Sequence, residues 1–187
     1  MPPYIARLVF RALSEAMTNV NHHAYHRKVF ASPKTALRTR GRWWMMATLD
    51  TPKNVFKLVF YDAGVGIPNT LPRKYNLELI RQALQLLPGF RPDDGQMIAA
   101  AMELGRTRTA LDNRGKGLLD LAKLIDIIGV GKMKIFSKHG AYLYRAAGNA
   151  VNNSVGFVEG TLIEWELPLN MATDAPLESE HVAEANT

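Results

Sequence analysis

The stretch VFKLVFYDAGVGI, residues 55–67, decides the fold, because an apolar strand pattern ends there at an acid followed by two glycines. The residues before the acid are mostly β-branched or aromatic, which favours a strand. Asp62 closes this strand, and Gly64 and Gly66 let the backbone before Ile67 approach a ligand closely. A carboxylate in this position accepts a hydrogen bond from a donor such as an exocyclic amine. The alternative interpretation is an ordinary turn at a strand end.

The segments around this stretch predict an α+β domain. Residues 43–49 form a second strand pattern, and the turn-forming residues 50–54 join it to 55–61 as a β-hairpin. Apolar spacing predicts helices over residues 4–26, 77–87, 95–104 and 118–127, and further strands over 132–137, 141–145 and 161–167. Loops are expected over 63–76 and from 106 to 115, and a second hairpin turn at His139 and Gly140. The predicted architecture is a two-layer sandwich, with a mixed, mostly antiparallel sheet and helices on one face.

Length and composition fit one soluble domain. The 187 residues predict a single domain over 1–170, and residues 171–187 form an acidic, non-periodic tail that we expect to be disordered. There are no cysteines, which excludes disulfides and thiolate metal sites and fits a cytoplasmic protein. No apolar run is long enough to span a bilayer, so no membrane partner is expected.

The formal charge of +6 is unevenly distributed. Residues 171–187 hold four acids and no Lys or Arg, which leaves 23 basic against 13 acidic residues in the rest of the chain. A basic body suggests an anionic partner such as a nucleotide, a nucleic acid or an acidic protein surface. The alternative is a solvated basic surface.

A polar pair lies on the first predicted helix. Glu15 and Asn19 are four residues apart, so their side chains leave the same helix face. A carboxylate can act as a general base, and an Asn oxygen is a hard ligand suited to Mg²⁺. The alternative is a solvent-exposed polar face.

Two further glycine motifs follow. The sequence RGKGL at residues 114–118 opens a predicted helix, where free backbone N–H groups and the positive end of the helix dipole attract phosphate. The spacing of a P-loop is absent, so this is another kind of phosphate site or a plain helix start. Gly160 and Thr161 open the last predicted strand and carry little information alone.

In this order, the four motifs resemble the N, G1, G2 and G3 boxes of the GHKL ATPase superfamily, which includes DNA gyrase, histidine kinases and MutL. The segment from Glu15 through Asn19 and His23 to Tyr25 is most similar to the anti-sigma-factor serine kinase branch. The resemblance covers roughly residues 7–167. It implies the Bergerat ATP-binding fold, with ATP and Mg²⁺ as cofactors.

The resemblance also implies roles for individual residues. Glu15 would polarise the attacking water or a partner's serine hydroxyl, Asn19 would ligate Mg²⁺, and His23 would lie near the phosphates. Asp62 would bind the adenine amino group, with support from Thr161 through a water. The implied nucleotide pocket further includes Gly64, Gly66, Ile67, Arg114, Gly115, Lys116, Gly117 and Leu118. Residues 68–114 would form the ATP lid.

The resemblance leaves several functions open. The leading hypothesis is an ATP-dependent regulatory enzyme, a serine/threonine protein kinase or a slow ATPase, that acts on a protein partner. The second is an ATP-switched binding module with little catalysis, and the third is a nucleic-acid-binding protein. A homodimer is a further option, although the leading segment that contributes to the dimer interface in the anti-sigma branch is missing here.

Two other patterns have competing interpretations. His22, His23 and His26 could form a metal cluster, but no nearby Asp, Glu or Cys completes a ligand shell, which favours a polar helix end. Trp43 and Trp44 could form an aromatic platform for nucleic acid. Adjacent strand residues face opposite sides, so one Trp is expected on each face, in core or partner packing.

Overall fold

The computed structural model describes residues 2–25, 41–108 and 117–169. The chain begins with helix α1 (Pro3–Asn19), which continues as a π-helical turn (Val20–Ala24). The remaining elements, in chain order, are β1 (Trp43–Asp50), β2 (Val55–Asp62), α2 (Ile67–Lys74), α3 (Leu77–Ala83), α4 (Asp94–Arg108), α5 (Gly117–Ile128), β3 (Lys132–Tyr144) and β4 (Ala150–Pro168).

The strands form one antiparallel sheet in the order β1-β2-β4-β3. The hairpin predicted at residues 43–61 is confirmed, with Trp43 paired to Asp62 and Asp50 paired to Val55. The pairing of β2 with β4 places Asp62 directly beside Thr161, 99 positions later in the chain. Helices pack on the sheet, which confirms the α+β class.

The core lies between the sheet and helices α1, α4 and α5. In β2 and β3 every second residue is buried over most of the strand, as the period of two in a strand requires for a sheet with one covered face, whereas no residue of the edge strand β1 is buried. Trp165 of β4 is fully buried, and its indole N–H donates to the carbonyl of Leu121 in α5 at 3.1 Å. This contact ties the helical layer to the centre of the sheet, and truncation of such a Trp typically costs about 3–5 kcal/mol.

The predicted loop over residues 63–76 is wrong, because α2 occupies most of it. Gly66 adopts φ +82 at the start of this helix, and Pro68 lies in its first turn, where a missing N–H costs nothing. Pro72 lies inside the same helix. The two prolines therefore fit a short helix that ends where Tyr75 becomes extended.

The predicted second hairpin at His139 and Gly140 is also wrong. β3 is one continuous strand, and its register against β4 shifts between Phe136 and Gly140, around Lys138 with φ 55. A Cβ on Gly140 would lie 2.4 Å from backbone atoms of Asp94, so this glycine allows close contact with α4. The actual connection to β4 lies at residues 145–149, and β4 begins much earlier than the predicted 161.

The helix boundaries shift as well. The first helix is α-helical only to Asn19, and the last residue of the predicted span lies outside the described residues. Helix α3 ends at Ala83 instead of 87, whereas α4 continues through Arg108, beyond the predicted end at 104 and into the predicted loop. The prediction of 118–127 agrees with α5 to one residue at each end.

The segment expected to act as a lid, residues 68–114, contains most of α2 and all of α3 and α4; residues 109–114 lie outside the described part. Helix α4 packs on β3 and β4, and Ile98 and Ala100 are fully buried. Movement of the whole segment would break this packing. The expected tail at 171–187 also lies outside the described residues.

Candidate functional site

One cavity opens where the end of α1 meets the ends of β2 and β4. Its walls also include residues of α2, α4 and α5. Seven residues named from the sequence line it: Asn19, His23, Asp62, Gly66, Ile67, Leu118 and Thr161. The fold therefore brings together parts of all four sequence motifs, which span more than 140 positions of the chain.

The cavity is mostly apolar on the side of the sheet and helix α5. Phe60 and Ile163 contribute from the sheet, and Leu118 and Leu121 contribute from α5. A flat apolar ring can bury its faces between such side chains, while a few polar groups fix its orientation. This is the usual construction of a site for a small aromatic ligand.

Asp62 is the buried charge of this cavity. Its side chain is 6% exposed, and its Oδ1 accepts a hydrogen bond from the Gly64 N–H at 2.9 Å. Thr161 donates to the same carboxylate from both its backbone and its hydroxyl. Burial raises the pKa of Asp62 to about 6, although the hydrogen bonds from Gly64 and Thr161 oppose this shift. At pH 7 the group is mostly ionised and can accept a further hydrogen bond.

Glycines allow the turn after Asp62 to pack against its neighbours. A Cβ on Gly64 would lie 2.4 Å from the Ala24 carbonyl oxygen, and a Cβ on Gly160, at φ +83, would lie 1.9 Å from the Asp62 carbonyl oxygen. The N–H of Val65 donates to the Ala24 carbonyl at 2.8 Å. The turn after Asp62 therefore packs between Ala24, at the end of the first helix, and Gly160, which precedes Thr161 in β4.

Ser137 completes this packing, and sequence reasoning missed it. It is fully buried on β3, donates to the Gly160 carbonyl at 2.6 Å and accepts from the Ile67 N–H at 3.1 Å. A Cβ on Gly66 would lie 2.6 Å from the Ser137 hydroxyl oxygen. The only signal in the sequence is a polar residue at a core-facing strand position, and its partners are 70 and 23 residues away.

Tyr25 is a second connection to the same turn. Its hydroxyl donates to the Arg42 carbonyl at 2.5 Å and accepts from the Ala63 N–H at 3.2 Å. Burial, with a smaller contribution from the nearby Asp62 charge, raises the pKa of Tyr25 to about 12, so it stays a neutral donor near pH 7. The resemblance named this residue only as an aromatic, whereas the structure gives it a supporting contact to the turn.

The first helix supplies one end of the cavity. Asn19 ends the α-helical part and His23 follows in the π-helical turn, and both line the cavity. Glu15 lies one helical turn before Asn19, is half-buried and is not among the lining residues. His26 lies outside the described residues, so the possible metal cluster of His22, His23 and His26 is not fully described by the structure.

Helix α2 and the residue that follows it contribute three polar groups, in a segment predicted from the sequence as a loop. Thr70, Lys74 and Tyr75 line the cavity, and the Lys74 ammonium lies 5.6 Å from the centre of the Tyr75 ring. These residues give the cavity a cationic side chain from the described part of the chain. They come from the segment that the sequence assigned to a lid.

Part of the expected phosphate motif lies outside the described residues. This applies to Arg114, Gly115 and Lys116, whereas Gly117 begins α5 and Leu118 lines the cavity. The described start of α5 therefore lies beside the cavity. The N–H groups at a helix start have no partner within the helix and attract anions.

A divalent cation would find few protein ligands here. Within the described ranges, no three His, Cys, Asp or Glu side chains cluster in a way that could hold a metal. The Asn19 side chain lines the cavity and carries a hard oxygen of the type that Mg²⁺ accepts. A lone ligand fits a cation whose other ligands are phosphate oxygens and water, but not a resident structural metal.

Comparison with known proteins does not assign a family. No family model matches this chain, and no curated protein matches it. No helix in the described part is both long and apolar enough to cross a membrane.

Proposed function

We propose that the cavity binds ATP together with Mg²⁺, with the adenine ring at Asp62 and the phosphates toward Asn19. The observation that carries this proposal is the buried Asp62 carboxylate, which faces an apolar cavity and receives hydrogen bonds from the neighbouring turn. An ionised carboxylate only accepts hydrogen bonds. Its best ligand is therefore a flat apolar group with an N–H donor at its edge, as in adenine.

Other groups around the cavity suit phosphate. Lys74 supplies a positive charge, and Leu118 in the first turn of α5 lines the cavity, so the backbone N–H groups at this helix start would be the second phosphate ligand. Asn19 would hold the Mg²⁺, which would neutralise phosphate charge when bound. The basic body of the chain is consistent with an anionic ligand.

The proposed reaction is transfer of the terminal phosphoryl group to water or to a serine or threonine hydroxyl of a partner protein. The bond between the terminal phosphorus and the bridging oxygen breaks, ADP leaves, and a new P–O bond forms to the attacking oxygen. Glu15, on the same helix as Asn19, would accept the proton of the attacking group. This role rests on the family resemblance and on the helical spacing.

A binding module that uses ATP only as a switch is the second candidate. It is favoured by the position of Glu15, which does not line the cavity in this structure. In that case ATP would bind with the same contacts, and no phosphate would be released or transferred.

Calorimetric titration with ATP, with and without Mg²⁺, tests the proposal. We expect saturable binding that strengthens when Mg²⁺ is present, because the cation offsets repulsion among the phosphates. Absence of binding in both conditions would overturn the nucleotide proposal. Phosphate release, measured on the same sample, then separates the enzyme from the binding module.

A further inference from the structure

Strand β1 is an edge of the sheet with large apolar side chains on both faces. It is the first strand in the sheet order, and within the described residues its outer edge pairs with no other strand. Five large apolar side chains of this strand are 38–59% exposed: Trp43, Trp44, Met45, Met46 and Leu49. The ring stacking of Trp43 on Phe60 and of Trp44 on Tyr61 confirms that the two Trp side chains lie on opposite faces.

The other edge of the sheet is built differently. β3 carries Lys132, Lys134 and Lys138, and its register is irregular around Lys138. Charged side chains and irregular pairing are the usual protection of a sheet edge against pairing with another chain. Residues 43–49 contain no charge, no Pro and no bulge against β2. Because β1 lacks the charges and the irregular pairing that protect β3, we infer that β1 pairs with a strand of another molecule.

We propose that β1 pairs antiparallel with β1 of a second copy of this chain, with Met46 on the two-fold axis, so that the two sheets become continuous. The N–H and C=O groups that point outward from a sheet edge belong to every second residue of the strand. When two copies of the same strand pair antiparallel, residues that face each other are therefore an even number of positions apart in sequence, and the two-fold axis passes through a residue. The candidate centres within this strand are Met45, Met46 and Ala47.

Charge complementarity selects the register centred on Met46. It places Arg42 of each copy opposite Asp50 of the other, once at each end of the paired region. The neighbouring registers place Arg42 opposite Thr48 or Pro52 and form neither charge pair. Asp50 also contacts Lys53 within its own turn at 3.4 Å, so it already lies in a cationic environment.

The same register also gives compatible side-chain pairs. It sets Trp43 against Leu49, Trp44 against Thr48 and Met45 against Ala47, so neither Trp side chain faces another Trp or a charged side chain. Aromatic pairs with β-branched or aliphatic residues are favourable across antiparallel strands. No residue of β1 lines the cavity, and this pairing does not rest on the proposed function.

Sedimentation equilibrium of the full chain over a range of concentrations tests the proposal, with Met46→Lys as the disrupting variant. Met46 is 59% exposed, so the substitution leaves the monomer core intact, but it places two like charges opposite each other at the axis. We expect a dimer for the parent and a dissociation constant at least roughly tenfold higher for the variant. A parent that is monomeric throughout, or a variant that dimerises equally well, would overturn the proposal.

Oxidative cross-linking tests the register. The chain has no cysteine, so Met46→Cys introduces the only thiol, and directly opposed strand residues lie within reach of a disulfide. Thr48→Cys is the matched control on the same face, because its counterpart in the second copy lies four residues farther along the strand. We expect a covalent dimer for Met46→Cys and not for Thr48→Cys; the reverse result would exclude this register.

Discussion

Replacing Asp62 by Asn separates the stability of the fold from the binding of nucleotide. Burial raises the pKa of Asp62 from 3.8 to about 6, so ionisation of this group opposes folding at pH 7 by about 3 kcal/mol. The direction of the pH dependence follows from proton binding. Between pH 3.8 and about 6 the Asp62 carboxyl holds more protons in the native state than in the unfolded chain, so the free energy of unfolding rises as the pH falls.

The Asn variant carries no such titration. Its amide removes the buried charge but cannot accept all the hydrogen bonds that Gly64 and Thr161 give to Asp62. These two effects oppose each other at pH 7, and each is worth about 1–3 kcal/mol. We therefore expect similar stability at pH 7, and a parent that gains about 2 kcal/mol relative to the variant between pH 7 and pH 4.

Nucleotide selectivity should change in the same variant. The parent carboxylate accepts from the amino group of adenine, whereas inosine triphosphate presents a carbonyl oxygen at that position. We expect the parent to bind ATP at least roughly tenfold more tightly than inosine triphosphate. Asp62→Asn should weaken ATP binding by about ten- to a hundredfold and narrow or reverse this preference, because the amide can donate to the carbonyl.

Urea unfolding at several pH values and calorimetry with both nucleotides provide the measurements. Identical pH dependence of unfolding for parent and variant would show that Asp62 does not titrate as described. Equal discrimination between the two nucleotides by parent and variant would remove Asp62 from the adenine contact. The first result concerns the fold and the second concerns the function, so each part can fail alone.

Three other variants test the site. Gly160→Ala should lower the free energy of unfolding by more than about 3 kcal/mol in urea titrations, because its Cβ would lie 1.9 Å from the Asp62 carbonyl oxygen. The control Gly89→Ala has the same φ of +83 but lies in open space, so it should cost only about 1 kcal/mol. Equal losses in the two variants would refute the packing argument. Glu15→Gln should keep ATP affinity within about twofold but reduce phosphate release by roughly a hundredfold or more. The control Glu78→Gln, at an exposed position of α3, should change neither. Unchanged turnover in Glu15→Gln would remove Glu15 from the reaction. Tyr25→Phe should cost about 1 kcal/mol in urea unfolding, because a main-chain N–H loses its acceptor, and an unchanged midpoint would contradict this contact.

The sequence predicts local elements better than long-range contacts in this chain. The first hairpin was predictable because two strand patterns flank a short run of turn-forming residues, 50–54. The second failed because a glycine can mark close packing as well as a turn, and Gly140 lies against the backbone of α4. Helix α2 was missed because prolines usually interrupt helices, whereas Pro68 occupies a first turn.

The cavity was predictable only through the order of the motifs. The pairing of Asp62 with Thr161 joins residues that are 99 positions apart, and no local pattern encodes that contact. Ser137 and Lys74 could not be assigned to the site at all, because their positions depend on β-strand register and on a helix that the sequence did not reveal.

The position of adenine in a structure of this chain bound to ATP and Mg²⁺ tests the central claim most directly. The predicted result is that the adenine amino nitrogen lies about 2.7–3.2 Å from a carboxylate oxygen of Asp62, with the phosphates on the side of Asn19. A nucleotide bound elsewhere, or one in the cavity with its phosphates at Asp62, would contradict the proposed function.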